Sequence, residues 1–340
     1  MTETGWMQAA IALGERGRGL TAPNPNVGCV IVRDGAVIGE GWTQNGGRPH
    51  AEAMALDAAG GSIGGSTVYT TLEPCAHVSA RGPACATLLA EAKPAKVVIG
   101  VGDPDPRTNG LGIERLETAR IEVLTGVLKQ EAEQSMAGFF TRIRLGRPYV
   151  TLKLAMSIDG RIALASGESK WITGDEARED VHRERARADM ILVGRGTYET
   201  DRPRLDVRLP GLEHASPRKA LLTTGGPVDG FTRLSSPQAI CTLTDVNDLL
   251  VEGGAETAAA FLTADLVDRL LIYRAPILIG EGKAGIGGIG LEALADAHGR
   301  WHPTGTRQLG SDTLQVYERQ RASSGKAGTG FPPDDAPKGT

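Results

Sequence analysis

Cysteine is scarce in this sequence, and a long apolar run is missing from it. The chain has 4 cysteines in 340 residues, which are too few for a disulfide scaffold. Thiols that stay reduced in the cytosol are available as metal ligands or as nucleophiles. No apolar stretch approaches the roughly 20 residues that cross a bilayer, and the N-terminal residues have no basic segment followed by an apolar one. We therefore expect a soluble, cytoplasmic protein.

A basic excess is missing as well. Lysine and arginine together number 37 against 41 aspartates and glutamates, which gives a formal net charge of -4. Surfaces that bind nucleic acid or anionic lipid normally have an excess of basic residues. The charge therefore argues against a nucleic-acid or membrane partner and favours a small-molecule partner.

The chain has enough apolar residues for two α/β domains. Its hydrophobic content of 40% and charged content of 23% are close to the averages of globular proteins. Strand and helix patterns alternate up to residue 145, break at "GRP" and resume from residue 148 to residue 320. We predict domains at 1–145 and 148–320. Residues 321–340 are rich in Gly, Pro and Ser, and we predict that they form a disordered tail.

Residues with metal-binding side chains cluster in the first half. His50 opens a predicted helix in "HAE", and Cys75 and Cys85 flank a loop that contains Pro and Gly. Zinc accepts imidazole nitrogen and thiolate sulfur, and a catalytic zinc uses three protein ligands so that a fourth corner is open to water. Bound water ionises near neutral pH, and Glu52 is placed to take its proton without being a ligand. This His-x-Glu pattern with a later Pro-Cys is the signature of zinc deaminases that act on nucleobases.

Other interpretations of these residues stay open at this point. A structural zinc would take a fourth protein ligand, for which His77 is the nearest candidate. The residues could also be unrelated members of the core, as we predict for Cys29 and Cys241 because they lie within or beside apolar strand-like runs. A deaminase of nucleic-acid bases would share "HAE" and "PC", but the acidic net charge argues against it.

The second half contains one Gly-rich turn, "DLLVEGGAET", in which a predicted strand meets a predicted helix. Backbone N–H groups at such a helix start can bind a phosphate. On its own the motif is more typical of a simple strand-to-helix turn, because short Gly-rich turns are common. A G-x-G-x-x-G pattern does not accompany it, which disfavours a Rossmann dinucleotide site.

Longer stretches make the chain similar to a known family. It resembles the bifunctional riboflavin-biosynthesis deaminase-reductases in "TAPNPNVGCVIVRDGAVIGEGWTQNGGRPHAEAMAL", "TLEPCAH", "LKLAMSIDGRIALASGESKWIT" and "LLVEGGAETAAAFLTADLVDRLLIYRAPILIG". The resemblance implies an α/β protein with a cytidine-deaminase-like three-layer N-terminal domain and a dihydrofolate-reductase-like C-terminal domain. It also implies zinc-dependent hydrolytic deamination of 2,5-diamino-6-(5-phosphoribosylamino)pyrimidin-4(3H)-one, followed by NADPH-dependent reduction of the ribosyl chain to ribityl.

The resemblance assigns roles to residues of the first domain. It implies that zinc is bound by His50, Cys75 and Cys85 and that Glu52 shuttles the proton. It places substrate-binding positions at Asn24, His77 and Arg81. An amide can read a pyrimidine edge, and a cation near the cleft can bind a phosphate. Nine residues separate the two cysteines where the family usually has eight, and the extra residue falls in a loop, so it affects the register of Arg81 and not that of Cys85.

The resemblance also assigns roles in the second domain. Substrate-binding positions are implied at Lys153, Ser169, Arg185, Leu205, Arg208 and Glu252. Contacts with NADPH are implied at Ala155, Trp171, Thr197, Asp201, Thr224, Gly254, Ala255, Glu256 and Thr257. Arginines suit the substrate phosphate because they form two parallel hydrogen bonds with it.

The second domain departs from the family pattern in two places. "TDRPRL" keeps Asp201 but has Arg202 where the family tends to have a second acid. Residues 225–251 are too few for the strand and helix that are usual there, so we expect part of the sheet to be exposed and NADPH binding to be weakened. An alternative is that this domain is a non-catalytic dimerisation module. Family members assemble through this half, and we expect a homo-oligomer.

Overall fold

A computed structural model of the chain describes residues 1–77 and 81–320, and the predicted tail at 321–340 lies outside the described residues. In the described residues, one sheet with its helices precedes residue 146, and a larger sheet with its helices and a separate two-stranded sheet follow it. The elements before residue 146 are α1 (Glu3–Gly14), β1 (Gly28–Arg33), β2 (Ala36–Trp42), α2 (Ala51–Ala58), β3 (Thr67–Leu72), α3 (Cys85–Ala92), β4 (Lys96–Val101), α4 (Leu111–Thr118), β5 (Glu122–Thr125), α5 (Lys129–Ser135) and α6 (Ala137–Leu145).

The first sheet has the order β2-β1-β3-β4-β5 within the described ranges. β1 is antiparallel to β2 and β3, whereas β3, β4 and β5 are parallel to one another. Helices α1 and α5 pack on one face, and α2, α3 and α4 lie along the other. The predicted three-layer arrangement is therefore confirmed. The carboxyl ends of β2, β3 and β4 meet at one edge of the sheet, where α2 and α3 begin.

The second sheet and its helices start after α6 ends at a left-handed Gly146. The elements of this half are β6 (Tyr149–Ser157), β7 (Arg161–Leu164), α7 (Asp175–Ala186), β8 (Met190–Gly194), α8 (Arg195–Asp201), β9 (Arg218–Leu222), β10 (Thr232–Leu234), β11 (Asp248–Val251), α9 (Ala255–Thr263), β12 (Arg269–Ala275), β13 (Gly282–Ala284), β14 (Trp301–Leu309) and β15 (Asp312–Arg319). β7 and β13 pair with each other in a separate two-stranded antiparallel sheet.

The larger sheet has the order β10-β9-β8-β11-β6-β12-β15-β14 in the described part of the chain. The first six of these strands are parallel, and β15 and β14 continue the sheet antiparallel. Phe261 of α9 packs with Leu152 on one face, while Val181 of α7 packs with Leu271 and Tyr273 on the other. Because helices cover both faces, central strands such as "MILVG" are apolar at every position.

The short segment between residues 225 and 251 forms reduced versions of the usual elements, namely the three-residue strand β10 and a 3-10 turn at Pro237–Thr242. The expectation that the sheet is left exposed here is wrong. Leu234, Ile240 and Val246 are fully or almost fully buried, and they pack in the same apolar cluster as β6 and β11. A single turn is enough because its apolar side chains reach the sheet directly.

The two free cysteines outside the predicted metal group differ in burial. Cys29 is fully buried in the centre of β1, as predicted. Cys241 is exposed, so its assignment to the core is wrong. It follows Ile240 in the 3-10 turn, and because Ile240 points into the core, the next side chain points outward.

Polar contacts join the two domains. Arg18 Nη2 donates to Asp248 Oδ1 at 2.8 Å, and both side chains are largely buried. Arg187 forms a second ion pair across the boundary with Glu15.

In the described residues no helix combines the length and the apolarity that a bilayer span needs.

Candidate active sites

The predicted metal ligands meet at one point. The ligand atoms of His50, Cys75 and Cys85 all lie within 4.8 Å of one another. His50 Nδ1 is 3.5 Å from Cys75 Sγ and 3.3 Å from Cys85 Sγ. His77 is not in the group, and its Nδ1 lies 3.4 Å from Thr108 Oγ1. One imidazole nitrogen and two sulfurs fit zinc, and three ligands fit a catalytic site better than a structural one.

The local fold explains how residues from distant parts of the sequence converge. His50 is the N-cap of α2, Cys85 is the first residue of α3, and Cys75 follows β3. The Cys85 N–H donates to Cys75 Sγ at 3.3 Å. The side-chain hydrogen bond between the two sulfurs lowers the pKa of the Cys75 thiol to about 4 against the effect of burial, and a hydrogen bond with His50 adds to this lowering. The same shared bond raises the pKa of Cys85, so the two sulfurs titrate as a pair.

Glu52 lies beside this group in the first turn of α2 and is 3% exposed. Burial raises the pKa of its carboxyl group, and the electrostatic effect of His50 opposes the shift only in part. A carboxyl group with a raised pKa can take up a proton and release it again near neutral pH. The position and the environment of Glu52 therefore suit a proton carrier.

A cleft of about 250 Å³ opens onto the group. The predicted residues that line it are Asn24, His50, Glu52, Cys75 and His77. Arg81 is not among the lining residues. It is exposed, and its Nη2 donates to Gly46 O at 2.7 Å.

Sequence reasoning missed a charged loop on the opposite wall, at residues 103–107. Asp103, Asp105 and Arg107 all line the cleft. Burial raises the pKa of Asp103 to about 7, whereas hydrogen bonds from Arg107 lower the pKa of Asp105. A signal was available, because "GDPDPR" follows β4 and the carboxyl ends of neighbouring parallel strands form a common edge where ligands bind. Arg142 of α6 also lines the cleft, and no local motif marks it.

Glu73 anchors the 103–107 loop through hydrogen bonds to backbone N–H groups. It is 2% exposed, and its carboxylate accepts four backbone N–H bonds. Oε2 accepts from Asp103 at 3.2 Å and from Gly110 at 3.1 Å. Oε1 accepts from Gly112 at 3.0 Å and from Ile113 at 3.3 Å, in the first turn of α4. The Glu-Pro-Cys sequence thus places a loop anchor two residues before a predicted metal ligand.

The second domain has its own cleft, of about 460 Å³. The predicted residues that line it are Lys153, Ala155, Ser169, Trp171, Arg185, Asp201, Leu205 and Arg208. In the described chain, its lining has seven cationic side chains, from Lys153, Lys170, Arg178, Arg185, Arg202, Arg204 and Arg208. Only one carboxylate, that of Asp201, lines the same cleft among the described residues. Such a surplus of cations suits ligands that have several phosphate groups.

Glu252 lies at the end of β11 and is bound to two of these cations. Arg185 donates to it through Nε at 2.7 Å and Nη2 at 2.8 Å, and Lys153 Nζ lies 4.0 Å from Oε2. Burial opposes ionisation of Glu252, but the charge and hydrogen bonds of Arg185, together with the charges of Lys153 and His182, outweigh burial and lower the pKa. Burial lowers the pKa of Lys153, against the attraction of Glu252. The glutamate therefore fixes the arginine beside the cleft.

The remaining predicted cofactor positions do not line this cleft but lie at the carboxyl ends of neighbouring parallel strands. Thr197 is in α8, directly after β8, and Thr224 follows β9. Gly254 is the N-cap of α9, which begins with Ala255, Glu256 and Thr257. A Cβ on Gly254 would lie 3.6 Å from Thr197 Oγ1, so the starts of α8 and α9 are adjacent. This edge is where ligands bind in parallel sheets.

Comparisons with known proteins cover both domains. Residues 1–101 match the model "Cytidine and deoxycytidylate deaminase zinc-binding region", and residues 148–315 match "RibD C-terminal domain". The chain is 39% identical to the riboflavin biosynthesis protein RibD of Escherichia coli, over 87% of this chain and 94% of that protein. The corresponding protein of Aquifex aeolicus is 35% identical, over 92% of this chain and 98% of its own length.

Solved structures give the same result. RibD of Acinetobacter baumannii superposes with a TM-score of 0.84 at 36% identity, covering 94% of this chain and 99% of that one. A deaminase/reductase of Thermotoga maritima gives a TM-score of 0.85 at 30% identity, and the match covers 93% of this chain and 98% of that one. Both predicted domains are matched, which favours two activities over a deaminase with a non-catalytic module. The chain belongs to the RibD family, the bifunctional enzymes of riboflavin biosynthesis that join a zinc-binding deaminase domain to a reductase domain.

Proposed function

We propose that residues 1–145 deaminate 2,5-diamino-6-(5-phosphoribosylamino)pyrimidin-4(3H)-one and that residues 148–320 use NADPH to reduce the ribosyl chain of the product to ribityl. The observation that supports this most strongly is the group of His50, Cys75 and Cys85 with buried Glu52 on the same cleft. Donors of this kind, next to a carboxyl group that is not a ligand, suit hydrolysis of an amino group on a ring.

In the first cleft, His50, Cys75 and Cys85 would bind the zinc ion. A bound zinc ion supplies Lewis acidity, which makes water a nucleophile near neutral pH. Water adds to the ring carbon that bears the amino group, and the carbon–nitrogen bond then breaks. Glu52 takes a proton from the water and returns it to the leaving nitrogen, which departs as ammonia.

Two further residues orient the pyrimidine in this proposal. The Asn24 amide has both a donor and an acceptor with which to read the ring edge, and His77 lies on the same cleft. Arg81 would attract the substrate phosphate from outside the cleft, which its exposed guanidinium group supports because it is a cation.

In the second cleft, the cationic lining supports binding of a phosphorylated substrate and a phosphorylated cofactor. NADPH supplies the hydride. Arg185 and Arg208 would bind the substrate phosphate, and Glu252 keeps the first of them in place through two hydrogen bonds. Lys153, Ser169 and Leu205 would contact the sugar side of the substrate. The cofactor would lie along Ala155, Trp171, Asp201 and the strand ends at Thr197, Thr224 and Gly254–Thr257.

We also propose that the chain works as a homo-oligomer and does not act on nucleic acid. The net charge of -4 supports the second statement. Sedimentation of the purified protein would test the first, and incubation with a single-stranded DNA or RNA oligonucleotide would test the second.

The main experiment follows the two reactions separately. The purified protein is incubated with the diamino substrate, and ammonia and NADPH are measured over time. We expect the zinc enzyme to release ammonia in the absence of NADPH, and we expect NADPH consumption to require either the diamino substrate or its deaminated product. Ammonia release with no NADPH consumption, even when the deaminated product is added directly, would confine catalysis to the first domain.

A further inference from the structure

The deaminase cleft is built from residues of both domains. Thr244, from the segment before β11, lines the cleft although it lies about a hundred residues beyond α6. Asn247, from the same segment, contacts the loop that precedes β1. Its Nδ2 donates to the backbone oxygen of Asn24 at 3.0 Å. The wall that presents Asn24 to the substrate is therefore in contact with the reductase domain.

Arg142 completes this contact from the side of the first domain. Its Nε donates to Asn247 Oδ1 at 2.8 Å, and its Nη2 donates to the backbone oxygen of Pro23 at 2.6 Å. Two successive carbonyls are thus bound from two domains. The Pro23 carbonyl accepts from Arg142 in the first domain, and the Asn24 carbonyl accepts from Asn247 in the second. Arg142 itself lines the cleft.

Asn247 is a rigid point of attachment. It is 5% exposed, and its N–H donates to Asp189 Oδ2 at 2.8 Å. Its carbonyl accepts from the Tyr149 N–H at 2.8 Å, which ties it to the first residue of β6. Both backbone groups are thus hydrogen-bonded at the starts of β6 and β8, and the side chain extends from there to the first domain.

We infer that Asn247, in the reductase domain, is a positioning residue for the deaminase: together with Arg142 it fixes the Pro23–Asn24 backbone so that the Asn24 amide meets the pyrimidine. This rests on the proposed role of Asn24 in substrate binding. Without the two hydrogen bonds the loop gains freedom, and binding of the substrate must then pay for ordering it. The geometry of His50, Cys75, Cys85 and Glu52 does not depend on this contact, because those residues are held by α2, α3 and β3.

Ion pairs also join the domains away from the cleft, so docking of the domains does not depend on these hydrogen bonds alone. Arg187 and Glu15 form one of these ion pairs, and neither residue lines the cleft. Arg187→Ala is therefore a matched control, since it removes an interdomain contact and leaves the Asn24 loop untouched. Asn247→Asp gives a second comparison. It retains an acceptor for Arg142 but places an oxygen against the Asn24 carbonyl, so it separates docking from positioning.

The experiment measures ammonia release by the full-length zinc enzyme across substrate concentrations. For Asn247→Ala and Asn247→Asp we expect the KM for the diamino substrate to rise about threefold to tenfold, the range set by one or two lost hydrogen bonds. The kcat should stay within about twofold, since the reacting groups are undisturbed. Zinc content and NADPH oxidation with the deaminated substrate should match those of the parent enzyme, which shows that both variants are folded. Arg187→Ala should leave the KM unchanged.

An unchanged KM in a folded, zinc-loaded Asn247→Ala enzyme would overturn the inference, as would an equal rise in Arg187→Ala. So would a parent-like KM in Asn247→Asp, because that result would mean that only the bond to Arg142 matters. If the parent enzyme itself releases no ammonia from the diamino substrate, the proposed function fails, and this inference fails with it. Parent activity combined with an unaffected variant would overturn the inference alone.

Discussion

Gly47 lies against the side chain of Asn24, so close that a Cβ at this position would overlap the Asn24 amide. Its φ of +84° is in the left-handed region, which favours glycine in any case. The neighbouring Gly46 has a similar φ of +73°, but a Cβ there would meet nothing within 4 Å. Gly46 is exposed and its carbonyl accepts from Arg81, whereas Gly47 is buried against Asn24, so of the two only Gly47 can report on the Asn24 side chain.

This pair allows a direct test of Asn24. Gly46→Ala and Gly47→Ala should each lower the free energy of unfolding by about 1 kcal/mol, because alanine is strained at positive φ. Gly47→Ala should also displace the Asn24 amide and lower kcat/KM for ammonia release by about tenfold or more, with zinc retained. Steady-state kinetics and thermal unfolding of both variants measure the difference. Equal deaminase activity in the two variants would remove Asn24 from substrate binding.

Replacement of Glu73 tests whether the anchor of the 103–107 loop matters for stability and for deamination. The carboxylate accepts four backbone N–H bonds, and glutamine can supply only one acceptor oxygen. Glu73→Gln should therefore cost about 2 kcal/mol of unfolding free energy and lower ammonia release, because the loop with Asp103 and Arg107 loses its anchor. Glu91→Gln, on the exposed side of α3, is the control and should change neither quantity. Full deaminase activity in Glu73→Gln would show that the anchor is dispensable.

The role of Glu252 can be tested against a similar ion pair in the same domain. Glu252 binds Arg185 beside the second cleft, and Glu184 binds Arg269 with comparable burial away from it. Replacing either glutamate by glutamine leaves a buried arginine without its counter-ion, which should cost about 3 kcal/mol of unfolding free energy in both cases. Only Glu252→Gln should lower NADPH oxidation with the deaminated substrate. Parallel loss of that activity in Glu184→Gln would indicate a general effect of instability.

Removal of a metal ligand should affect one activity and spare the other. Cys85→Ser should lose most of its zinc and release no ammonia, whereas NADPH oxidation with the deaminated substrate should persist, because the second cleft has no part in metal binding. Cys241→Ser is the control, since that thiol is exposed and lies outside the metal group. Treatment of the parent enzyme with a chelator should reproduce the Cys85→Ser result. Zinc retained at one equivalent in Cys85→Ser would contradict the assigned ligand set.

Much of the fold could be predicted from the sequence because each local pattern agrees with the architecture. The hairpin of β1 and β2, for example, follows from two apolar runs separated by a tight turn. The stretch 131–145, whose pattern predicts one helix, is instead broken at Met136, where φ is -112°. Periodicity cannot reveal such a break, because both halves present apolar residues to the same core.

Some residues of the candidate site could likewise be predicted from the sequence, and others could not. His50, Glu52, Cys75 and Cys85 could be identified because the chemistry of a metal site restricts residue types and spacing. Asp103 and Arg107 had only a general signal, "GDPDPR" after a predicted strand, because their place on the cleft depends on strand order. Arg142 had none, because its place depends on where α6 packs. Asn247 is the extreme case, since it contacts the backbone of Asn24 from the other domain. Cys241 shows the reverse error, where an apolar neighbourhood in sequence does not imply burial.

The central claim is that a zinc ion held by three residues and a separate carboxyl group at Glu52 divide the work of deamination. The most direct measurement combines elemental analysis with ammonia release for Glu52→Gln. We predict one zinc per chain in both the parent enzyme and the variant, with ammonia release lower by about a hundredfold or more, because glutamine cannot transfer a proton. Deamination at the parent rate in the zinc-loaded variant, or a parent enzyme that is active without zinc, would contradict the account.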